Sequence, residues 1–312
     1  MRRAPSEVNL LLGIDKPVGP TSHDAVARVR RQLGERRVGH AGTLDPLASG
    51  VMVVGVGQAT RLLGRLAADG KRYVARIAFG AETSTDDAEG EVVRRVEPRP
   101  ELADEAYARR VLAGFLGAQE QVPPAYSAIS VDGVRSYKRA RAGEQVELQA
   151  RSIEVRTAQL IAVEAGPAPV WTVVFEVSKG TYIRALARDI GRATDGAAHL
   201  DALRRTASGA VALGDCVALD GLDRELARLH ALDPVRALGL PAFDISEAAL
   251  ADALCGRRVA FSQAGARAGA DAPGEGGLAC LVRGGELRAI ARMEDGAFRM
   301  KDVFVQGIEG AI

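Results

Sequence analysis

Three glycines and one proline fall within the twelve residues Gly39-His-Ala-Gly-Thr-Leu-Asp-Pro-Leu-Ala-Ser-Gly50 of this 312-residue chain. Such spacing fixes an unusual backbone and lets a chain approach a ligand closely. In its midst Asp45 precedes Pro46, which biases Asp45 towards an extended conformation and presents a carboxylate on the loop. Asp-Pro also opens ordinary turns, and the loop alone leaves both readings standing. A phosphate cradle is a poor match, because no Gly-Lys-Ser/Thr follows the glycines. Gly55-Val-Gly57 lacks the third glycine of a dinucleotide fingerprint.

The charge pattern bears on partners. The net charge is only +1, so the whole chain makes no case for nucleic acid. Locally, Arg28 to Arg37 holds five Arg and one Glu, and Arg135 to Arg141 holds three Arg and one Lys, each a net +4. Residues 82–105 and 215–252 are strongly acidic in compensation. This alternation can build a basic face for a polyanion, and it is equally compatible with solvated faces. Only five of the 41 basic residues are Lys, so Lys16, Lys71, Lys138, Lys179 and Lys301 stand out. Cys216, Cys255 and Cys280 are odd in number and widely spaced, which argues against a disulfide framework and a structural zinc site. The first residues lack a signal-peptide apolar run, and no stretch is long and apolar enough for a membrane span. A reducing cytoplasm is the expected compartment.

The elements that must position these residues follow from periodicity. Leu10 to Ile14 reads as a strand closed by the turn Asp-Lys-Pro-Val-Gly-Pro. Thr21-Ser-His-Asp24 has capping-box form, and Val26, Val29 and Leu33 continue a helix that Gly34 can end. Residues 38–50 read as a glycine-punctuated loop before a buried strand from Val51 to Val56. Tyr73 to Phe79 alternates as a strand, Glu82 to Glu91 is an acidic turn, and Tyr107 to Phe115 is an amphipathic helix. Gln121 to Glu147 is a long polar stretch of the kind that is usually functional or disordered. Val170 to Val177 is a strand, and Ile183 to Ile190 marks a helix. The acidic stretch after Asp215, with Pro234 and Pro241, reads as a linker. Short apolar runs broken by glycine follow Ile245, with a flexible loop expected from Ala264 to Gly277.

The Asp45 string closely resembles the signature of the TruB-type tRNA pseudouridine synthases. Six further blocks resemble that family in order: Leu11 to Pro17, Lys71-Arg-Tyr73, Thr83 to Gly90, Pro123 to Gly133 with Tyr137 after it, Ser178 to Arg184, and His199 to Arg205. The resemblance spans residues 10–210. It implies that Asp45 is the essential carboxylate, that Tyr73 stacks on the target base and that Arg184 pairs with Asp45. It implies further that His40, Tyr182 and Leu203 surround a flipped uridine, and that Lys16 supports the active-site loop or meets RNA. Taken singly, Tyr73, Tyr182 and Leu203 would be read as core residues and His40 as a loop histidine; the ordered set overturns those readings.

The chemistry agrees with these roles. Pseudouridine formation breaks the N1–C1′ bond, turns the base and rejoins it through C5, so neither metal nor cofactor is expected. A carboxylate beside an anomeric carbon is what glycosidases use for a related cleavage. A base stacked in RNA must be flipped out and held by aromatic or apolar groups. An adjacent arginine favours the ionised carboxylate.

The fold implied is α+β: a large mixed, mainly antiparallel sheet flanked by helices, with a small β-rich C-terminal domain. The expected catalytic domain is residues 1–240, with an RNA-clamping insertion at 121–147 in which Arg135, Lys138, Arg139 and Arg141 neutralise phosphates. Residues 245–312 sit where the family carries a PUA-like RNA-binding domain. The expected partner is the T arm of tRNA, modified at position 55 of the standard tRNA numbering, by a monomer without an obligate protein partner or membrane. A tRNA-folding helper with dispensable catalysis is the alternative.

Overall fold

The computed structural model describes residues 5–68, 70–126, 130, 131, 134, 135 and 148–311. Lys138, Arg139 and Arg141 lie outside the described residues, as does Tyr137, and Arg135 is described only as backbone in the short strand Val134–Arg135. The class is α+β, as expected. Two compact units divide the chain: Met1–Pro46, Gly50–Ala68 and Ala207–Ile312 form one, Leu47–Ser49 and Asp69–Thr206 the other. Among the described residues no helix is long and apolar enough to cross a membrane.

In the first unit the strand Leu10–Lys16 pairs antiparallel with Ala48–Val56, from Leu10 opposite Val56 to Lys16 opposite Gly50. On its other edge it pairs in parallel with Cys216–Ala218. The helix Ser22–Leu33 starts and stops where its sequence demands. Thr21 and Asp24 close a reciprocal capping box, and Gly34 ends the helix in the left-handed conformation. The glycine-punctuated segment is more regular than expected. Val38–His40 is a strand against Val54–Val56, and the next strand already begins at Ala48. A strand of three residues is too short to show an alternation.

The linker expectation is corrected. Leu219, Leu222 and Ala227 are buried, and the short helices Arg224–Leu229 and Pro234–Leu238 occupy the stretch. Two of its acids are caps, with Asp223 accepting from Leu226 N–H and Asp233 from Val235 N–H. The C-terminal part is β-rich, as expected: a six-stranded sheet in which Ala242–Ile245 and Leu278–Arg283 run parallel and the other pairs antiparallel. Ala264–Ala266, expected as flexible loop, is an edge strand of that sheet against Phe243–Ile245. Leu278–Arg283 is buried on both faces, which is why it reads as an unbroken apolar run. Ala279 and Leu281 join Phe243 and Phe298 in one core, while Cys280 and Val282 join Leu11, Val53 and Phe304 in another.

The second unit is a sheet in the order Ala198–Ser208, Lys71–Phe79, Val170–Val177, Arg151–Glu164, Gly117–Gln121. Its tightest aromatic contact is Trp171 against Phe79, with ring centroids 4.5 Å apart, and the indole N–H donates to the Leu102 carbonyl. The helix Ile183–Ala193 buries eight of its residues, among them Arg184 and Arg188. Its close approach to the Ala198–Ser208 strand depends on Gly191, where an added Cβ would lie 2.4 Å from Ala198 N. We predict that Gly191→Ala destabilises the protein by about 2 kcal/mol or more through overpacking, read from the urea unfolding midpoint; an unchanged midpoint would show that the helix can retreat freely.

Candidate active site

The first unit builds the Asp45 loop from backbone outward. Ser22 Oγ donates to the Leu44 carbonyl at 2.9 Å and accepts from Leu44 N–H at 2.8 Å. One residue past Asp45, the Pro46 carbonyl accepts from Gly19 N–H at 2.9 Å. Asp45 is thus held from both sides while the residue itself stays partly exposed. Gly42 and Gly50 have φ of 110° and 104°, conformations that explain glycine there. Ala41 N–H reaches the Val53 carbonyl, which ties the loop's start to the sheet.

The loop that supplies Gly19 is itself tied down by Lys16. This lysine is fully buried, and its ammonium donates to the Pro17 and Pro20 carbonyls at 2.8 Å each. A buried ammonium is tolerated only where acceptors surround it. His40 is half-buried, its ring edge-on to that of His23 at 5.9 Å.

The second unit carries the other expected residues. Tyr73 is buried on its strand opposite Phe175, and Leu203 is buried on the Ala198–Ser208 strand. Tyr182 immediately precedes the Ile183–Ala193 helix. Its backbone N–H donates to Gln121 Oε1 at 2.9 Å, and its carbonyl accepts from Gln121 Nε2 at 3.1 Å. Arg184 is buried in the first turn of the helix. Its guanidinium donates to the Thr85 and Tyr126 carbonyls at 2.9 and 3.0 Å and lies 3.6 Å from Asp87 Oδ2.

Arg184 is the first of three arginines spaced four apart on one helical face. Arg188 pairs with Asp86 at 2.8 Å, and Arg192 pairs with Glu82 at 2.8 Å. The acidic stretch read as a turn is therefore an anchored one. Backbone bonds from Ala88 N–H to the Leu200 carbonyl and from Leu200 N–H to the Asp86 carbonyl anchor it again. Sequence reasoning missed Ser22, Gly19, Gln121, Asp86, Asp87 and Arg188. Glu82 and Asp86 are four residues apart, as Arg188 and Arg192 are, and that repeat was the available signal. Ser22 was hidden inside a capping box whose other members explained it.

Comparison with known proteins bears on this arrangement. Residues 30–183 match the model of the TruB family pseudouridylate synthase N-terminal domain. A tRNA pseudouridine synthase B of Mycobacterium sp. (strain KMS) is 43% identical over 293 residues, 94% of each chain. The chain belongs to the TruB family of pseudouridine synthases. Another such synthase, from Mycobacterium leprae, is 44% identical over 300 residues, 94% of this chain and 89% of that one. The solved structure of an H/ACA ribonucleoprotein bound to a substrate RNA containing 2′-deoxyuridine has a chain with 25% identity and a TM-score of 0.66, over 95% of this chain and 85% of that one. A chain of an archaeal box H/ACA ribonucleoprotein has the same identity and TM-score, over 97% and 89%. Members of this family are isomerases, and the second unit holds most of the matched blocks of this TruB member.

Two expectations follow from the geometry. Ser22→Ala leaves both the backbone N–H and the carbonyl of Leu44 without their partner, so stability should fall by about 1–3 kcal/mol. Pseudouridine formation should slow as the Asp45 loop loosens; unchanged stability and rate together would show that the loop does not need this serine. The second concerns acid. Arg192, and after it Arg94, hold the Glu82 carboxyl below its ordinary value of 4.5. A depressed carboxyl contributes stability above its unfolded pKa and loses it as pH falls through the folded one. Glu82→Gln should therefore be less stable than the wild type at pH 7, with the gap closing below about pH 4; a gap that is constant with pH in urea titrations would rule out this ion pair as its cause.

Proposed function

We propose that this chain isomerises uridine to pseudouridine in the T loop of tRNA, at position 55, with Asp45 as the catalytic carboxylate. The observation that carries the reading is the clamped Asp45 loop in a chain that is 43% identical along 94% of its length to a tRNA pseudouridine synthase B. Breaking N1–C1′ needs a carboxylate that stays fixed while the uridine is carried to it, and a backbone held at Leu44 and Pro46 supplies that.

The other residues take roles suited to their surroundings. Tyr73 offers an aromatic face to the flipped base, with His40, Tyr182 and Leu203 around it. Arg184 favours the ionised form of Asp45 and neutralises charge during the reaction. Lys16 holds the loop that carries Gly19, which is the support role its burial favours. Arg135, Lys138, Arg139 and Arg141 meet tRNA phosphates from the insertion at 121–147. The β-rich part from 245 to 312 acts as a PUA-like RNA-binding domain beside the catalytic domain of residues 1–240. The protein works as a monomer in the cytoplasm, and none of these steps calls on a cofactor.

The test is Asp45→Asn, which is nearly isosteric and removes the charge alone. Purified variant and wild type are incubated with unmodified tRNA transcript, and pseudouridine is located by chemical mapping. Wild type should modify the T-loop uridine, while the variant should bind the tRNA with similar affinity and form no product. Substantial turnover by Asp45→Asn would remove Asp45 from the mechanism.

A further inference from the structure

Arg184 does not hold its surroundings alone. One turn further along the helix, Arg188 donates from Nη1 to Asp86 Oδ2 at 2.8 Å and from Nη2 to the Val122 carbonyl at 2.8 Å. Its Nε donates to Asp189 Oδ1 at 2.9 Å. The Arg188 and Asp86 side chains are only 10% and 12% exposed. Asp86 sits at φ 61°, the left-handed region that residues with a side chain seldom enter. Burial pushes its carboxyl up, and Arg188 opposes that shift. A buried carboxylate costs free energy unless it is paired, and a turn that served only as a connection would not need one.

What this pair grips identifies its use. Asp86 lies between Thr85, whose carbonyl accepts from Arg184, and Asp87, whose carboxylate faces Arg184 at 3.6 Å. Val122 lies four residues before Tyr126, the other carbonyl on which the Arg184 guanidinium is seated. Arg188 therefore binds both segments that Arg184 binds, from the adjacent helical turn. A shift of either segment would move the Arg184 guanidinium with it. Arginine suits the task because its planar fork can serve a carboxylate and a carbonyl at once, and an ammonium cannot match that geometry.

We propose that Asp86 and Arg188 are positioning residues for pseudouridine formation: they fix the two segments that seat the Arg184 guanidinium, while RNA binding is left to other residues. This rests on the role given to Arg184 above. The third pair of the series supplies the control, because the bonds of Arg192 run to Glu82 and reach neither segment 121–126 nor the carbonyl of Thr85.

The experiment compares wild type with Asp86→Asn, Arg188→Met, the double variant and Arg192→Met. It measures kcat and KM on unmodified tRNA transcript, tRNA affinity by filter binding, and melting temperature. A single substitution leaves one bare buried charge and can fail to fold; the double variant removes both charges and keeps the test available. Asp86→Asn, Arg188→Met and the double should lower kcat about tenfold or more, with KM and affinity within about threefold of wild type. Arg192→Met should lower the melting temperature and leave kcat within about threefold. A folded double variant with wild-type kcat would overturn the proposal. So would an Arg192→Met variant slowed as much as the others, since the effect would then follow stability alone. A wild-type protein that makes no pseudouridine overturns the functional reading and this inference with it. An active wild type with an inactive Arg184→Lys and an unimpaired double variant overturns this inference only.

Discussion

Leu44 and Pro46 cannot move without breaking backbone hydrogen bonds, and the region around Asp45 is organised by that constraint. The bonds come from a turn and a helix start that directly follow a strand end in the chain. Leu10–Lys16 delivers a buried ammonium that gathers the Pro17 and Pro20 carbonyls. The turn so shaped presents Gly19 N–H to Pro46, and Ser22 at the helix start takes both polar groups of Leu44. A carboxylate on a loop is ordinarily mobile. Here the mobility is removed from the backbone, while Asp45 itself stays partly exposed.

The second unit reaches rigidity by charge instead. Three arginines at successive helical turns face three acids, Glu82 on the strand Ala81–Thr83 and Asp86 and Asp87 on the turn after it, and two of the arginines also satisfy carbonyls of residues 122–126. Buried ion pairs contribute little net stability, because desolvation offsets their attraction. Their value lies in geometry: each guanidinium admits few arrangements of its neighbours, and a displaced partner leaves a bare charge. The apolar contacts of the same unit, such as Trp171 on Phe79, supply the burial that holds the sheet together without specifying where the acidic turn must sit.

Much of this is legible in the sequence alone. The capping box at Thr21, the stop at Gly34, the alternating strand through Tyr73 and the apolar strand at Val170 all rest on local rules, and local rules act within a few residues. The stretch after Asp215 was misread for the same reason. Acids and prolines signal a linker by composition, yet Asp223 and Asp233 are helix caps, Glu225 and Pro234 are first-turn residues, and Leu219 and Leu222 are buried. Val38–His40 escaped because a strand of three residues has no period to detect.

The sequence by itself determined the identity and order of the chemical groups: Asp45 before a proline among glycines, Tyr73 after a lysine, Arg184 after Gly180-Thr-Tyr182. Such groups are written in the chain, and their spacing along it can be matched block by block. Only the tertiary structure decided which partner each would find. Ser22 lies 22 residues from Leu44, and Arg188 lies 102 residues from Asp86. A hydrogen bond or ion pair depends on separations of a few ångströms, whereas the chain between the partners can close in countless ways. The packing of whole sheets and helices chooses among those closures, and no window of sequence contains that choice.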